Sequence, residues 1–176
     1  MRGDSGRRLD KRVKVLDSTA IILGFTEATS ESVVTSRKIL EEAKYGEAAY
    51  RALASREGLM IRTLEPKEEY VKQVEKLALE IGEKQLSEAD VSILALALQL
   101  SKEGHETSIV TSDYSVQNLA SILGIKIEPI LHRGIRKKIT WTAYCSMCHW
   151  IGDKSPGEPC PRCGYPLKRV PRRIEE

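Results

Sequence analysis

The sequence predicts an α/β domain built on a parallel sheet, followed by a small C-terminal module held together by cysteines. Three observations lead there. Short β-branched runs alternate with segments of helical periodicity as far as residue 130. The four cysteines form two C-x2-C pairs, Cys145/Cys148 and Cys160/Cys163. The charge also reverses along the chain: residues 13–131 carry 13 Lys and Arg against 19 Asp and Glu, whereas 132–176 carry ten against four.

Residues 1–12, with five Lys and Arg against two acids, read as a flexible basic arm. Val13–Leu16 is a first strand ending at Asp17, and Ser18 and Thr19 are good helix-starting residues. Residues 30–44 show helical spacing, with Val33, Val34, Ile39, Leu40 and Ala43 on one side. Gly46 interrupts it, 47–56 reads as a further short helix, and 58–64 as a second strand. Pro66 precedes a helix over 68–81, whose apolar residues are Val71, Val74, Leu77, Ala78 and Ile81. Ser87, with Asp90 three positions on, makes an approximate capping box for an almost wholly apolar helix over 89–102, which should be buried. Thr107–Thr111 is a third strand. Ser112 or Asp113 caps a helix through Leu123, Gly124 ends it, and 125–128 is the last strand. The predicted boundaries are 1–12 arm, 13–130 α/β domain, 131–139 basic linker, 140–170 cysteine module and 171–176 tail.

Several classes are excluded. A composition of 41% hydrophobic and 30% charged residues supports a real core. No apolar run reaches the ~20 residues of a membrane helix, and no apolar stretch follows the charged N-terminus as a secretory signal requires. The expected location is the reducing cytoplasm, with no membrane partner, where free cysteines favour metal over disulfides. No G-x-G-x-x-G follows the first strand, and neither a P-loop nor a G-x-S-x-G elbow occurs.

Two C-x2-C turns, eleven residues apart, can each present two thiolates to one ion and so complete a tetrahedral Zn²⁺ site. So small a module buries too little surface to fold unaided, and zinc would supply the energy. A redox pair does not explain two C-x2-C turns. The C-x-x-C-H haem pattern ending at His149 needs export and leaves Cys160 and Cys163 idle. Arg133, Arg136, Lys137, Lys138, Arg162, Lys168 and Arg169, with Trp150 among them, suit single-stranded RNA, whose phosphates need cations and whose bases stack on rings. The rings serve equally well as filling for the module's small core.

Asp17 and Asp113 each follow a strand, and in a parallel sheet both fall at carboxyl ends, where ligand sites of open α/β folds gather. Glu42 sits late in a helix and Asp90 opens an apolar one. Converging, these acids would repel one another. A divalent ion removes that penalty, and oxygen-only ligands suit Mg²⁺ or Mn²⁺. Such an ion can activate a water for attack on a phosphodiester, with Thr111 and Ser112 orienting water or phosphate. Asp17, Asp90 and Asp113 also fit as plain helix caps, and spacing alone leaves both readings open.

The segments Val15-Leu16-Asp17-Ser18-Thr19, Leu86-Ser87-Glu88-Ala89-Asp90 and Val110-Thr111-Ser112-Asp113-Tyr114 resemble those of PIN-domain nucleases. With the cysteine module behind them, residues 13–170 resemble the archaeal Nin-one-binding family. That resemblance implies a three-layer PIN-like domain plus a zinc ribbon. It also implies an endoribonuclease that trims the 3′ end of small-subunit ribosomal RNA, acting on precursor RNA in the pre-ribosomal particle. By position it assigns Asp17, Asp90 and Asp113 to Mn²⁺ or Mg²⁺, with Glu42, or Glu41 one residue earlier, as the helical acid.

Overall fold

A computed structural model describes residues 9–23, 32–42, 61–83, 86–131, 133–135 and 137–175. Five strands form one parallel sheet: β1 (Arg12–Leu16), β2 (Ser32–Thr35), β3 (Arg62–Thr63), β4 (Glu106–Thr111) and β5 (Lys126–Pro129). Their spatial order is β3-β2-β1-β4-β5. The described helices are α1 (Ser18–Ile22), α2 (Arg37–Glu42), α3 (Glu68–Glu80), α4 (Glu88–Lys102) and α5 (Tyr114–Ile122). None is long and apolar enough to cross a membrane.

The pattern dictates most of this. β1 and β4 lie inside the sheet, covered by helices, so they are apolar runs rather than alternating ones: Val13, Val15, Leu16, Ile109 and Val110 are buried. α4 packs on both strands and buries nine of its 15 residues. α3 is amphipathic, with Val74 and Ala78 turned inward against α4.

The helix expected over 30–44 is instead a strand, β2, followed by the short α2. Val33 and Val34 fit either period, and pairing with Lys14 and Val15 of β1 decides for the strand. Thr35 then donates its hydroxyl to the Leu16 carbonyl at 2.9 Å. Of the strand expected over 58–64, the described part is Arg62–Thr63. The helix expected over 47–56 lies outside the described residues.

Lys14 is an exception within β1, 7% exposed in the middle of the sheet. Its ammonium meets Glu128 of β5 at 2.9 Å. Burial opposes the Glu128 carboxylate, but Lys14 and the Ser108 hydroxyl outweigh it and hold the carboxyl below its usual range. Glu128→Gln would remove the carboxylate charge that faces the Lys14 ammonium, so an unfolding free energy lower by ~2 kcal/mol is expected in urea titrations at neutral pH. Because the folded-state pKa is depressed, this contribution is present above the ordinary glutamate pKa and is lost as pH falls through the folded value. The wild-type and variant stabilities should therefore converge in acid.

The C-terminal ribbon is an antiparallel sheet in the order β7-β6-β8, from β6 (Lys138–Tyr144), β7 (Ile151–Gly152) and β8 (Lys168–Glu175). The boundaries 140 and 170 cut through it, since Lys138 pairs with Glu175. β8 is an edge strand. Pro171 stands opposite Trp141, where the register shifts, and a proline is tolerated at such a place.

The ribbon is seated on the α/β lobe. The Trp141 backbone N–H donates to the Ile81 carbonyl at 2.7 Å. Gly82 has φ +70°, and a Cβ there would lie 2.8 Å from the Trp141 carbonyl oxygen, so only glycine serves both needs. Asn118 of α5 exchanges two hydrogen bonds with the Ile139 backbone, at 2.8 and 2.9 Å. Arg169 pairs with the buried Glu83 at 2.7 Å and lies 3.8 Å over the Trp141 ring.

Candidate active site and metal centre

From β1 the chain winds outward through β2 to β3, then crosses back to β4 and continues to β5. The carboxyl ends of β1 and β4 are thus the switch point, where neighbouring connections diverge and leave a crevice. Asp17 follows β1 directly, and its N–H continues the ladder to the Val110 carbonyl at 3.2 Å. Its side chain is buried, 4% exposed. Oδ2 accepts from the Thr111 hydroxyl at 2.5 Å and Oδ1 from the Ser18 hydroxyl at 3.0 Å. Thr111 Oγ1 in turn accepts the Asp113 N–H at 3.0 Å. One threonine therefore links the two aspartates across the strand ends.

Asp113 caps α5, its Oδ1 accepting from the N–H groups of Ser115 and Val116 at 2.6 and 3.0 Å. Asp90 sits in the first turn of α4 and completes a capping box with Ser87: it accepts the Ser87 N–H at 2.9 Å, while Ser87 Oγ accepts the Asp90 N–H. The cap readings of Asp90 and Asp113 thus hold, and they are compatible with a second role. Burial, joined by the charges of Asp113 and Asp17, holds the Asp90 carboxyl above its usual range despite its bonds to Ser87. The three aspartates share one field.

That field carries a stability cost. A carboxyl whose folded pKa is raised binds protons more readily when folded, so stability falls as pH rises through the interval between its ordinary and folded values. Asp90→Asn should therefore raise the melting temperature of metal-free protein at neutral pH, and the gain should vanish in acid.

Glu42 ends α2 and is exposed, as is Glu41. Among the described residues, no hydrogen bond or ion pair joins Glu42 to the aspartates. The four cysteines are the one described group of three or more metal-binding side chains whose donor atoms all lie within 4.8 Å of one another. The acids stand wider apart. Oxygen donors of like charge fit a hard dication; burial chiefly, and the charges of Asp113 and Asp17 in lesser part, raise the Asp90 carboxyl.

The cysteine site is more closely gathered. Sγ of Cys145 and Cys163 are 3.4 Å apart, and those of Cys148 and Cys160 are 3.5 Å apart. A tetrahedral thiolate site asks for about 3.8 Å, so the donor set fits one ion. The two knuckles share one backbone pattern. The N–H of His149 bonds the Cys145 carbonyl at 2.9 Å, and that of Gly164 bonds the Cys160 carbonyl at 2.8 Å. Both residues have positive φ, 59° and 75°. Burial works against the Cys145 thiolate, but the N–H groups of Cys148 and Met147 outweigh it and hold the thiol down to about 6. Burial and the neighbouring thiols push Cys148 up to about 12. Four crowded thiols do not all ionise unaided, and a dication removes that obstacle.

The RNA-facing residues read from sequence divide into two groups. Arg133, Lys137, Arg162 and Lys168 are exposed and Lys138 is half-buried; Arg136 lies outside the described residues. Arg169 is not on an open face: it belongs to the ion pair with Glu83 that seats the ribbon. Trp150 packs its ring over Gly152, where a Cβ would come within 2.4 Å of it, so it fills the ribbon core. Among the described residues the exposed aromatic of the ribbon is Tyr165, after the second knuckle, one of the rings that the sequence interleaves with the basic residues.

The sheet order, with Asp17 and Asp113 at its switch point and Asp90 in the same field, points to a PIN-type nuclease domain, and comparison with known proteins agrees. The family model for the PIN domain of ribonuclease matches residues 14–100. Endoribonuclease Nob1 of Pyrococcus abyssi is 37% identical over 161 residues, covering 90% of this chain and 94% of its own. Endoribonuclease Nob1 of Archaeoglobus fulgidus is 35% identical, covering 93% and 92%. Ribonuclease VapC1 of Thermoplasma acidophilum is 33% identical, covering 89% of this chain and 77% of its own. The chain belongs to the archaeal Nob1 endoribonuclease family.

Proposed function

We propose that this protein is a metal-dependent endoribonuclease that cleaves single-stranded RNA and matures the 3′ end of small-subunit ribosomal RNA within the pre-ribosomal particle. The observation that carries the chemistry is the Asp17–Thr111–Asp113 linkage at the switch point, with Asp90 in the same field. Asp17, Asp90 and Asp113 would hold Mn²⁺ or Mg²⁺, with Glu42 closing the site from α2. The bound ion supplies charge for the phosphoryl oxygens and lowers the pKa of the attacking water. The chain's part is positioning. Thr111 and Ser18 fix the Asp17 carboxylate, and the capping bonds of Asp90 and Asp113 fix theirs, so little reorganisation remains when RNA arrives.

The cysteines would hold one structural Zn²⁺, and a reducing cytoplasm keeps their thiols free for it. Arg133, Lys137, Lys138, Arg162 and Lys168, with Arg136, would bind the RNA backbone. Division of labour explains the charge reversal along the chain: an acidic lobe for metal and chemistry, a basic ribbon for grip.

The test is a short RNA spanning the small-subunit 3′ end, incubated with Mn²⁺ or with EDTA, and the cut mapped. A single Mn²⁺-dependent cut at the mature end supports the reading. Tight, salt-sensitive binding with no cut, indifferent to the acids, would make the protein a non-catalytic assembly factor.

A further inference from the structure

A groove of about 730 Å³ lies between α3 and α4 on the acidic lobe. One stripe of α3 lines it: Glu68, Val71, Glu75 and Leu79, three or four residues apart and so in line along one helix face. Acidic and apolar residues alternate along that stripe. Leu86 and Val91, just before and within α4, add to the apolar lining. Leu79 is 69% exposed, the highest value for a large apolar side chain among the described residues, so packing within the lobe does not account for it.

The charge of the groove is one-sided. Among the described residues that line it, five are glutamates, with Glu65, Glu83 and Glu88 joining the two of the stripe, against the single Lys38. Lys38 already meets Glu88 at 2.6 Å, and Lys72 meets Glu68 at 3.5 Å. Both pairs are exposed and weakly held, so a partner's cations can replace them at little cost. Glu83 adds an independent sign. It is buried, and its Oε2 pairs with Arg169, yet among the described residues its Oε1 has no hydrogen-bond partner. A buried carboxylate oxygen without a donor is a place for a cationic N–H.

The lining selects its occupant. It repels a phosphate-bearing chain, so the groove is no part of the RNA path. A small polyvalent cation would use the glutamates and leave Val71, Leu79 and Val91 wet, whereas a wholly apolar segment would desolvate the carboxylates without pairing them. We propose that the groove docks a basic amphipathic segment of another protein, whose lysines or arginines meet the glutamates and whose apolar residues cover Val71 and Leu79. Ser87 also lines the groove, and its N–H is the one that Asp90 accepts. The partner would thus be anchored beside the helix turn that presents Asp90, leaving the basic ribbon as the surface for RNA.

The experiment uses the zinc-loaded full-length protein and a fluorescein-labelled helical peptide of about 14 residues, four turns, with leucines on one face flanked by lysines. Two control peptides replace its leucines with serine or its lysines with glutamate. In anisotropy titrations, wild type should bind the leucine–lysine peptide at least about tenfold more tightly than either control. Leu79→Ser and Glu75→Lys should each weaken that binding about tenfold, with unchanged melting temperature because both side chains are exposed. Glu106→Lys, the same charge change at the amino end of β4, should leave it unchanged, and saturating RNA should not displace the peptide. No binding, or binding indifferent to both groove substitutions, would overturn the proposal. Equal affinity for the serine–lysine peptide would make the groove a site for cations alone. Displacement by RNA, with weaker RNA binding by both variants, would make it a nucleic-acid surface. A dimer that binds no peptide and that Leu79→Ser dissociates would make it an interface between copies of this chain. Each of these three results also overturns the proposal.

Discussion

Asp17→Asn is expected to lower the cleavage rate by at least about 10³-fold while leaving RNA affinity nearly intact. The substitution preserves size: the amide oxygen can still accept from the buried Thr111 hydroxyl, while the amide NH2 takes the other place and the rotatable Ser18 hydroxyl can accept from it, so the site should keep its shape. What it removes is a buried negative charge, 4% exposed, in the field that an activating dication would neutralise. A second readout follows from the same geometry: with one repelling charge gone, the Asp90 carboxyl should titrate closer to its ordinary range, measurable by NMR. Cleavage by Asp17→Asn at the wild-type rate would refute the assigned site, whatever the variant's affinity for RNA.

Removing the zinc proposed for the ribbon should have a structural effect of comparable size. Chelation, or Cys145→Ser, is expected to take bound zinc from about one per chain to none and to unfold β6, β7 and β8 together, because metal affinity in such modules is folding energy, ~10 kcal/mol or more. The buried apolar residues there are few, Ala143 and Leu167 beside the cysteines, and cannot hold the sheet alone. The α/β lobe has its own core and should retain its helical signal. RNA affinity should fall and become less sensitive to salt, since Arg162 and Lys168 lose their fixed places. Ribbon amide signals that survive complete loss of zinc would overturn this account.

The parts legible in the sequence are those set by local pattern. The two C-x2-C turns carry their own geometry, and α4 announces its burial through an unbroken apolar run after a capping box. Asp17 and Asp113 were legible because a strand ending in an acid before a helix start places that acid on the rim of a parallel sheet. β2 was misread because Val33 and Val34 satisfy two periods at once, and only the neighbouring β1 breaks the tie. The seating role of Arg169 was illegible for a related reason. Its fate is decided by Glu83 and Trp141, and no local pattern reports a partner 86 residues away.

The seam between the lobes bears on how such proteins can be rebuilt. Glu83 is contributed by one lobe, Arg169 and Trp141 by the other, and Gly82 is shaped to the Trp141 backbone. A ribbon borrowed from a relative with another residue at the position of Arg169 would leave Glu83 as a lone buried carboxylate, at a cost of several kcal/mol. The two lobes are therefore not interchangeable parts. A working chimera needs Gly82, Glu83, Trp141 and Arg169 to travel together, and single steps between one matched set and another pass through a poorly assembled intermediate.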